Sequence, residues 1–275
     1  MQQTRSKASR TTPIQATPTT LKPILTIDKV RSRKAKIPPP RPKRAERQYA
    51  TALRSVASQV GSIVSVFEPG DPSTVPRVSD ILQRYAEALS AWAEATALRM
   101  LTEVDQVDRA QWGLLSAEMS QEVRREIASA PTGQILRQRL DEQVALIKSI
   151  PLDAAQRVHE LTLRGLETST RGEEIRRAIL ASGDVATSRA TLIARTEVAR
   201  TASLLTQARA EYVGSVAYIW RTSGDTDVRP GHRAMNGKVF RWDDPPEVEE
   251  NGRVMRHHPG QIWNCRCWCE PIIPE

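Results

Sequence analysis

The residues best suited to bind a metal ion are concentrated near the C-terminal end of the chain. All three cysteines lie at alternate positions within residues 265–269, and three of the four histidines lie within residues 232–258. Imidazole nitrogen and thiolate sulfur are the ligands that tetrahedral Zn²⁺ prefers. The pattern therefore favours a structural zinc site formed by His232, His258, Cys265 and Cys267, with His257 as an alternative to His258.

The same cysteines permit two other roles. Free cysteine is often buried as a small apolar side chain, so the thiols are equally suited to a core, and a redox or nucleophilic thiol is a third alternative. If residues 263–269 form an extended strand, Cys265, Cys267 and Cys269 point to one face, which suits both a metal and a core. The odd number of cysteines and their close spacing argue against a disulfide framework.

A short polar loop raises the alternative of a metal-dependent nuclease. It contains Asp225, Arg229 and His232, and the order of histidine and asparagine here is that of His-Asn-His nucleases. Those enzymes continue into a helix that carries the last metal ligand, whereas Pro259 follows His258 in this chain. We therefore expect Asp225 and Arg229 to brace the loop through hydrogen bonds and an ion pair. The sequence contains no phosphate-binding glycine loop or zinc-protease motif, and it predicts no catalytic residue.

The pattern around these residues predicts a small module that contains strands. Val216, Tyr218 and Trp220 alternate with smaller or aliphatic residues, as in a strand with two different faces. The dipeptides Gly224-Asp225 and Asn236-Gly237 are typical of turns, because their backbones accept a positive φ.

The C-terminal region resembles a known family. The residues that carry the resemblance are, in order, Ala194-Arg195-Thr196-Glu197, Trp220, Asp225, Arg229, His232, Met235-Asn236-Gly237, Phe240, His258-Pro259 and Asn264-Cys265-Arg266-Cys267. Over residues 185–270 they resemble the C-terminal module of the phage Mu F-like minor head proteins. The resemblance implies a minor capsid protein of a tailed bacteriophage, bound at or near the portal inside the head. It also implies a role in head morphogenesis and in DNA packaging or ejection.

The partners and the location follow from that resemblance. It implies contacts with the portal protein and other head proteins, localisation in the virion, and presence in the host cytoplasm during assembly. No apolar run is long enough to cross a bilayer or to form a signal peptide, so we expect no membrane partner.

Apolar residues recur at helical spacing through most of the remaining chain. A long helix should be kinked or broken near Trp112, and Pro151 should separate two further helices. On the last helix Arg195 and Glu197 are neighbours that point about 100° apart, so we expect them to bond to different partners. The predicted helices span residues 46–66, 78–115, 134–149, 152–166, 170–183 and 187–212.

The N-terminal segment is strongly basic. Residues 1–47 carry 13 Lys or Arg against Asp28 and Glu46, a net charge of +11, which leaves −3 for the rest of the chain. The segment is rich in Thr and Pro and almost free of aromatic residues, a composition typical of disorder. Such an arm suits a polyphosphate or an acidic protein surface, so DNA binding through the arm is an alternative function.

The combined pattern predicts an α+β protein in three parts. A basic disordered arm occupies residues 1–45, a helical domain that folds independently occupies residues 46–168, and the Mu F-like α+β module occupies residues 169–275. A structural role is expected for the whole, without enzyme activity.

Overall fold

The computed structural model describes residues 42–66, 74–117, 121–167, 172–250 and 252–273. These residues are mostly helical and end in a small region that contains strands, which confirms the predicted fold class. No helix among them is both long and apolar enough to cross a membrane. The helices are α1 (Lys43–Ser65), α2 (Thr74–Ala88), α3 (Ser90–Leu115), α4 (Gln121–Ser129), α5 (Gly133–Glu167), α6 (Gly172–Leu180), α7 (Ser182–Tyr212) and α8 (Pro230–Met235). The strands are β1 (Ala217–Arg221), β2 (Val239–Arg241), β3 (Glu247–Glu250), β4 (Arg253–Arg256) and β5 (Trp268–Ile272).

The predicted arm lies outside the described residues up to position 41. Its last three residues belong to helix α1, which begins at Lys43. Ala45 is buried in the helical core, so the change from arm to helix comes slightly earlier than predicted.

Helix α7 is the centre of the helical bundle, and it packs against α1, α3 and α5. Ala186, Ala190 and Ala194 recur every fourth residue on its buried side, which leaves room for the neighbouring backbones. At Gly183 a Cβ atom would lie 3.0 Å from Cα of Gly61. Small side chains at these positions therefore permit the close packing of α1 on α7.

Proline 151 does not end a helix, contrary to the sequence prediction. Helix α5 runs continuously through it from Gly133 to Glu167. Ile147 and Ile150 before the proline and Val158 after it are all buried in the same core. A proline inside a helix costs about 3 kcal/mol, whereas burying several aliphatic side chains stabilises the helix by about 1.5–3 kcal/mol each.

The predicted long helix is divided at Leu89 and not near Trp112. The N–H of Leu89 donates to the carbonyl of Tyr85 at 3.1 Å, and that of Ala93 donates to the carbonyl of Leu89 at 2.7 Å, so hydrogen bonding continues across the junction. Helix α2 packs mainly on α5 and to a smaller extent on α1, whereas α3 packs on α5, α7 and α1. The separate helix α4 was not predicted.

The junction between α6 and α7 also lies earlier than predicted. Helix α6 ends at Leu180 and α7 begins at Ser182, so Gly183 lies inside α7. Thr170, the predicted cap of α6, lies outside the described residues. Gly183 serves the contact with α1 and does not end a helix.

The helical core takes residues from both sides of position 168. Tyr49 and Leu53 of α1, Ile147 of α5, and Ile193 and Leu205 of α7 belong to one buried cluster. The described residues all lie in one compact unit. The boundary between residues 168 and 169 stays a prediction, and it does not separate two cores.

The C-terminal region contains a three-stranded antiparallel sheet in the order β2-β1-β5 and a hairpin of β3 and β4. The strand predicted around Tyr218 and Trp220 is confirmed, with both side chains fully buried. Gly224 and Gly237 have φ values of 74° and 82°, which confirms the two turns. Trp112 of α3 joins the core of this region and ties it to the helices.

Candidate metal centre

Three of the four predicted ligands meet in one buried cluster. His232 Nδ1 lies 3.3 Å from Cys267 Sγ and 3.5 Å from Cys265 Sγ. The exposed fractions of the three residues are only 2%, 7% and 3%. Their ligand atoms all lie within 4.8 Å of one another, close enough for one ion to reach all three.

His258, the fourth predicted ligand, lies elsewhere. Its Nδ1 is 2.9 Å from the Tyr218 hydroxyl, and its ring packs against Trp242 with centroids 5.7 Å apart. His257, the alternative, is the histidine that reaches the cluster, with its ring centroid 5.4 Å from that of His232. Neighbouring residues in extended chain point to opposite sides, so only one of the two histidines can face this cluster.

Glu250 completes the cluster, and the sequence did not single it out. Its carboxylate contacts Nε2 of His232, lies 3.7 Å from Nε2 of His257, and lies 3.2 Å from Nε of Arg229. The side chain is fully buried. Val248 and Glu250 are the buried positions of strand β3, so alternation in a short strand was the available signal for an inward carboxylate.

From the sequence we considered an extended strand over residues 263–269. The cysteine segment does not form one. Strand β5 begins at Trp268, so only Cys269 lies in it. All three cysteines are nevertheless buried, and Arg266 between the first two is exposed. The backbone N–H of Gly260 donates to Cys265 Sγ at 3.4 Å, which fixes that sulfur from the preceding loop.

Close packing of α8 on β3 brings His232 to Glu250. Helix α8 has Pro230 at its start, where the absent N–H costs no helical hydrogen bond. A Cβ atom on Gly231 would lie 2.9 Å from the carbonyl oxygen of Glu249. Glycine at this position therefore lets the helix carrying His232 lie directly on the strand carrying Glu250.

Ion pairs join the polar loop to the cysteine segment. Arg266 Nη2 lies 3.2 Å from a carboxylate oxygen of Asp225 and 2.9 Å from one of Asp227. Arg229 Nη2 donates to the carbonyl of Trp263 at 2.8 Å. Asp225 and Arg229 thus brace the loop as expected, but through separate partners across the cluster and not through each other.

Arg195 and Glu197 of α7 bond to different partners, as predicted. Arg195 Nη1 donates to Asn264 Oδ1 at 2.8 Å, beside the cysteines. Glu197 points into the helical core, where it accepts from Arg139 and, at 2.9 Å, from Gln143. Arg195 therefore anchors the cysteine segment to α7, and Glu197 anchors α7 to α5.

The pKa values of Cys265, Cys267 and His232 are shifted from the usual values of these groups. The hydrogen bond from Cys267, together with His232, lowers the pKa of the Cys265 thiol below its usual value. The pKa of Cys267 is raised, first by its hydrogen bond to Cys265 and then by burial. Burial opposes the charged form of His232, but Cys265 and Glu250 together raise its pKa. Cys265 and Glu250 thus contact opposite sides of one imidazole.

The donor set offers a zinc ion three protein ligands, one fewer than a closed structural site has. An ion held by the two sulfurs and His232 Nδ1 would have Glu250 on the other ring nitrogen, the carboxylate–histidine–metal arrangement that fixes a ligand's orientation. A second group, His232, Glu250 and His257, is also compact. Arg229 already offsets the charge of Glu250 there, so the thiol side of His232 is the better place for a cation.

Residues 156–270 match the family model described as Phage Mu protein F like protein. The match confirms the resemblance to this family that the sequence predicted for the C-terminal region. It includes α7 and all five residues of the cluster, namely His232, Glu250, His257, Cys265 and Cys267.

One curated relative is an uncharacterized protein of Haemophilus influenzae. It is 31% identical to this chain over 130 residues, which cover 47% of this chain and 28% of the relative. The chain therefore spans less than a third of the length of that relative. No solved structure matches the chain.

Proposed function

We propose that this protein is a minor head protein of a tailed bacteriophage that acts in head morphogenesis at or near the portal, inside the head. The observation that supports the proposal is the family match over residues 156–270, which contains helix α7 and all of the C-terminal module up to residue 270. The portal protein and other head proteins are its proposed partners. Its proposed locations are the virion and, during assembly, the host cytoplasm.

The candidate centre has a structural role in this proposal. His232, Cys265 and Cys267 are buried, and Arg266 and Arg229 join the polar loop to the cysteine segment through ion pairs and a hydrogen bond. A bound Zn²⁺ would cross-link helix α8 to the segment before β5, which are more than 30 residues apart in sequence. The free energy of metal binding at such a site adds to the stability of the folded state, which matters for a module with a small core.

Co-expression with the other head genes of the same phage tests the proposed function. The full chain should co-sediment with portal-containing particles, and it should be absent from particles assembled without the portal protein. Arg77→Glu, an exposed change on α2, serves as a control for general loss of solubility. Particles with a normal portal that never contain the chain would contradict the proposal.

DNA is a second proposed partner, because the net charge of +11 on residues 1–47 is concentrated in one segment. Inside a filled head such a segment would lie close to packaged DNA. Neutralised phosphates release counterions, so this contact should weaken steeply as salt rises.

A further inference from the structure

A groove of about 450 Å³ opens beside the candidate metal centre. One wall is the start of α1, another is the middle of α7, and the third is the segment from Arg266 to Cys269. Val198, Ala199 and Ala202 of α7 form an apolar floor. Cavities of about 300–1,000 Å³ are typical of ligand sites in proteins, so this one can take a large apolar side chain.

The rim of the groove is cationic. Arg195 is 3.5 Å from Glu46, and Arg266 is paired with aspartates, so these two charges are already compensated. Lys43 and Arg47 also line the groove and are exposed. Within the part of the chain that the structure describes, neither of them forms an ion pair. The groove therefore combines an apolar floor with two uncompensated positive charges on one edge.

We propose that this groove binds an acidic peptide segment of a partner protein, with one large apolar side chain inserted between α1 and α7. The floor would bury that side chain, and carboxylates on either side of it would meet Lys43 and Arg47. Complementary charge at a rim mainly speeds association and selects the partner, whereas the buried side chain supplies most of the affinity.

The two other candidate occupants fit less well. The chain's own residues 1–41 carry ten Lys or Arg and one Asp, so they have the same charge as the rim. A nucleic-acid backbone would satisfy the rim, but its phosphates would leave the floor of Val198, Ala199 and Ala202 without an apolar partner. The acidic peptide is the occupant that uses both features. The proposal depends neither on a bound metal nor on a place in the phage head.

Selection from a randomised library of peptides about twelve residues long, displayed on beads and applied to the full chain, tests the proposal. Enriched peptides should carry several Asp or Glu around one Leu, Phe or Trp. The affinity of the most enriched peptide is then measured by fluorescence anisotropy. Absence of enrichment, or enrichment of basic peptides, would overturn the proposal.

Two variants with matched controls locate the binding site. Ala199→Leu fills the floor, and Lys43→Glu combined with Arg47→Glu reverses the rim. Each should weaken peptide binding by about tenfold or more, which corresponds to about 1.4 kcal/mol. Ala91→Leu on the exposed side of α3, and Arg77→Glu combined with Arg84→Glu on α2, change the same residue types away from the groove and should leave affinity within about twofold.

Thermal unfolding separates loss of binding from loss of fold. The rim positions are exposed, so their double variant should unfold at the wild-type temperature and still lose binding. Equal peptide affinity in wild type, groove variants and controls would overturn the proposal. It would also be overturned if oligodeoxythymidylate bound as tightly as the peptide and lost its affinity in the same groove variants, because the surface would then be a nucleic-acid site.

Discussion

Glu250 and His232 form a buried contact in which the carboxylate meets Nε2 of the imidazole, while Nδ1 of the same ring faces Cys265 and Cys267. Each ring nitrogen of His232 therefore has its own buried neighbours, Glu250 at Nε2 and the two thiols at Nδ1. A carboxylate on one nitrogen raises the basicity of the other and fixes the ring, which prepares Nδ1 to bind a cation between the thiols.

Glu250→Gln should weaken zinc binding without abolishing it. The variant keeps all three ligands but removes the negative charge behind His232, and changes of this kind reduce metal affinity about 10- to 100-fold. A competitive titration with a chromogenic chelator measures the effect. Glu249→Gln, in the same strand but exposed, is the control. Equal affinities in the two variants would mean that Glu250 does not position His232.

A fragment of residues 46–165 should not unfold cooperatively, although the sequence predicts a helical domain that folds independently. Ala194, Val198 and Leu205 of α7 belong to the core that the fragment's helices share, and the fragment lacks them. A fragment of residues 42–213 contains α7 and should show a cooperative thermal transition by circular dichroism. A cooperative transition in the shorter fragment would contradict the central role of α7.

Deletion of residues 1–41 should flatten the salt dependence of DNA binding. Each neutralised phosphate contributes about 0.9 to the slope of log K against log salt on duplex DNA. The deletion removes ten basic residues and keeps helix α1 intact, because α1 begins at Lys43. An unchanged slope, measured by fluorescence anisotropy on a labelled duplex, would show that the arm is not the DNA contact.

The contribution of Asp108 to the free energy of unfolding should be more favourable to the folded state at low pH than at neutral pH. Burial raises its pKa from 3.8 to about 6, although Arg209 and the hydroxyl of Thr206 favour the charged form. Because the folded state holds this proton more tightly than the unfolded state, the contribution to stability is fully present below pH 3.8 and is lost as the pH rises through 6.

Urea unfolding of wild type and Asp108→Asn measures that contribution. On lowering the pH from 7 to 4, the free energy of unfolding of the wild type should rise relative to that of the variant by up to about 3 kcal/mol. Asp80→Asn, an exposed change on α2, controls for general charge effects. If the difference in free energy of unfolding between wild type and Asp108→Asn does not change with pH, the raised pKa of Asp108 is contradicted.

The sequence predicted the parts of the fold that depend on local pattern. Apolar spacing identified most of the helices, and alternation around Tyr218 and Trp220 identified β1. Pro151 was misread because a local rule ends helices at proline, while the buried residues on both sides of it keep α5 continuous. The break at Leu89 likewise depends on which neighbours α2 and α3 contact, and local pattern does not contain that information.

Three members of the candidate cluster were predictable from their residue types, but its complete membership was not. Cysteine and histidine types pointed to Cys265, Cys267 and His232. The choice between His257 and His258 depends on the direction of the chain after β4, and Glu250 enters only because β3 packs under α8. Such contacts join residues distant in sequence, so the spacing of ligands alone could not supply them.

Metal analysis of wild type and two cysteine variants, purified without a histidine tag, tests the candidate centre most directly. Wild type and Cys269→Ser should each carry about one zinc per chain, because Cys269 is buried outside the group of three ligands. Cys265→Ser should carry almost no zinc and should lose much of its thermal stability. Near-zero zinc in wild type, with Cys265→Ser and Cys269→Ser destabilised equally, would contradict the metal centre and leave three buried core thiols.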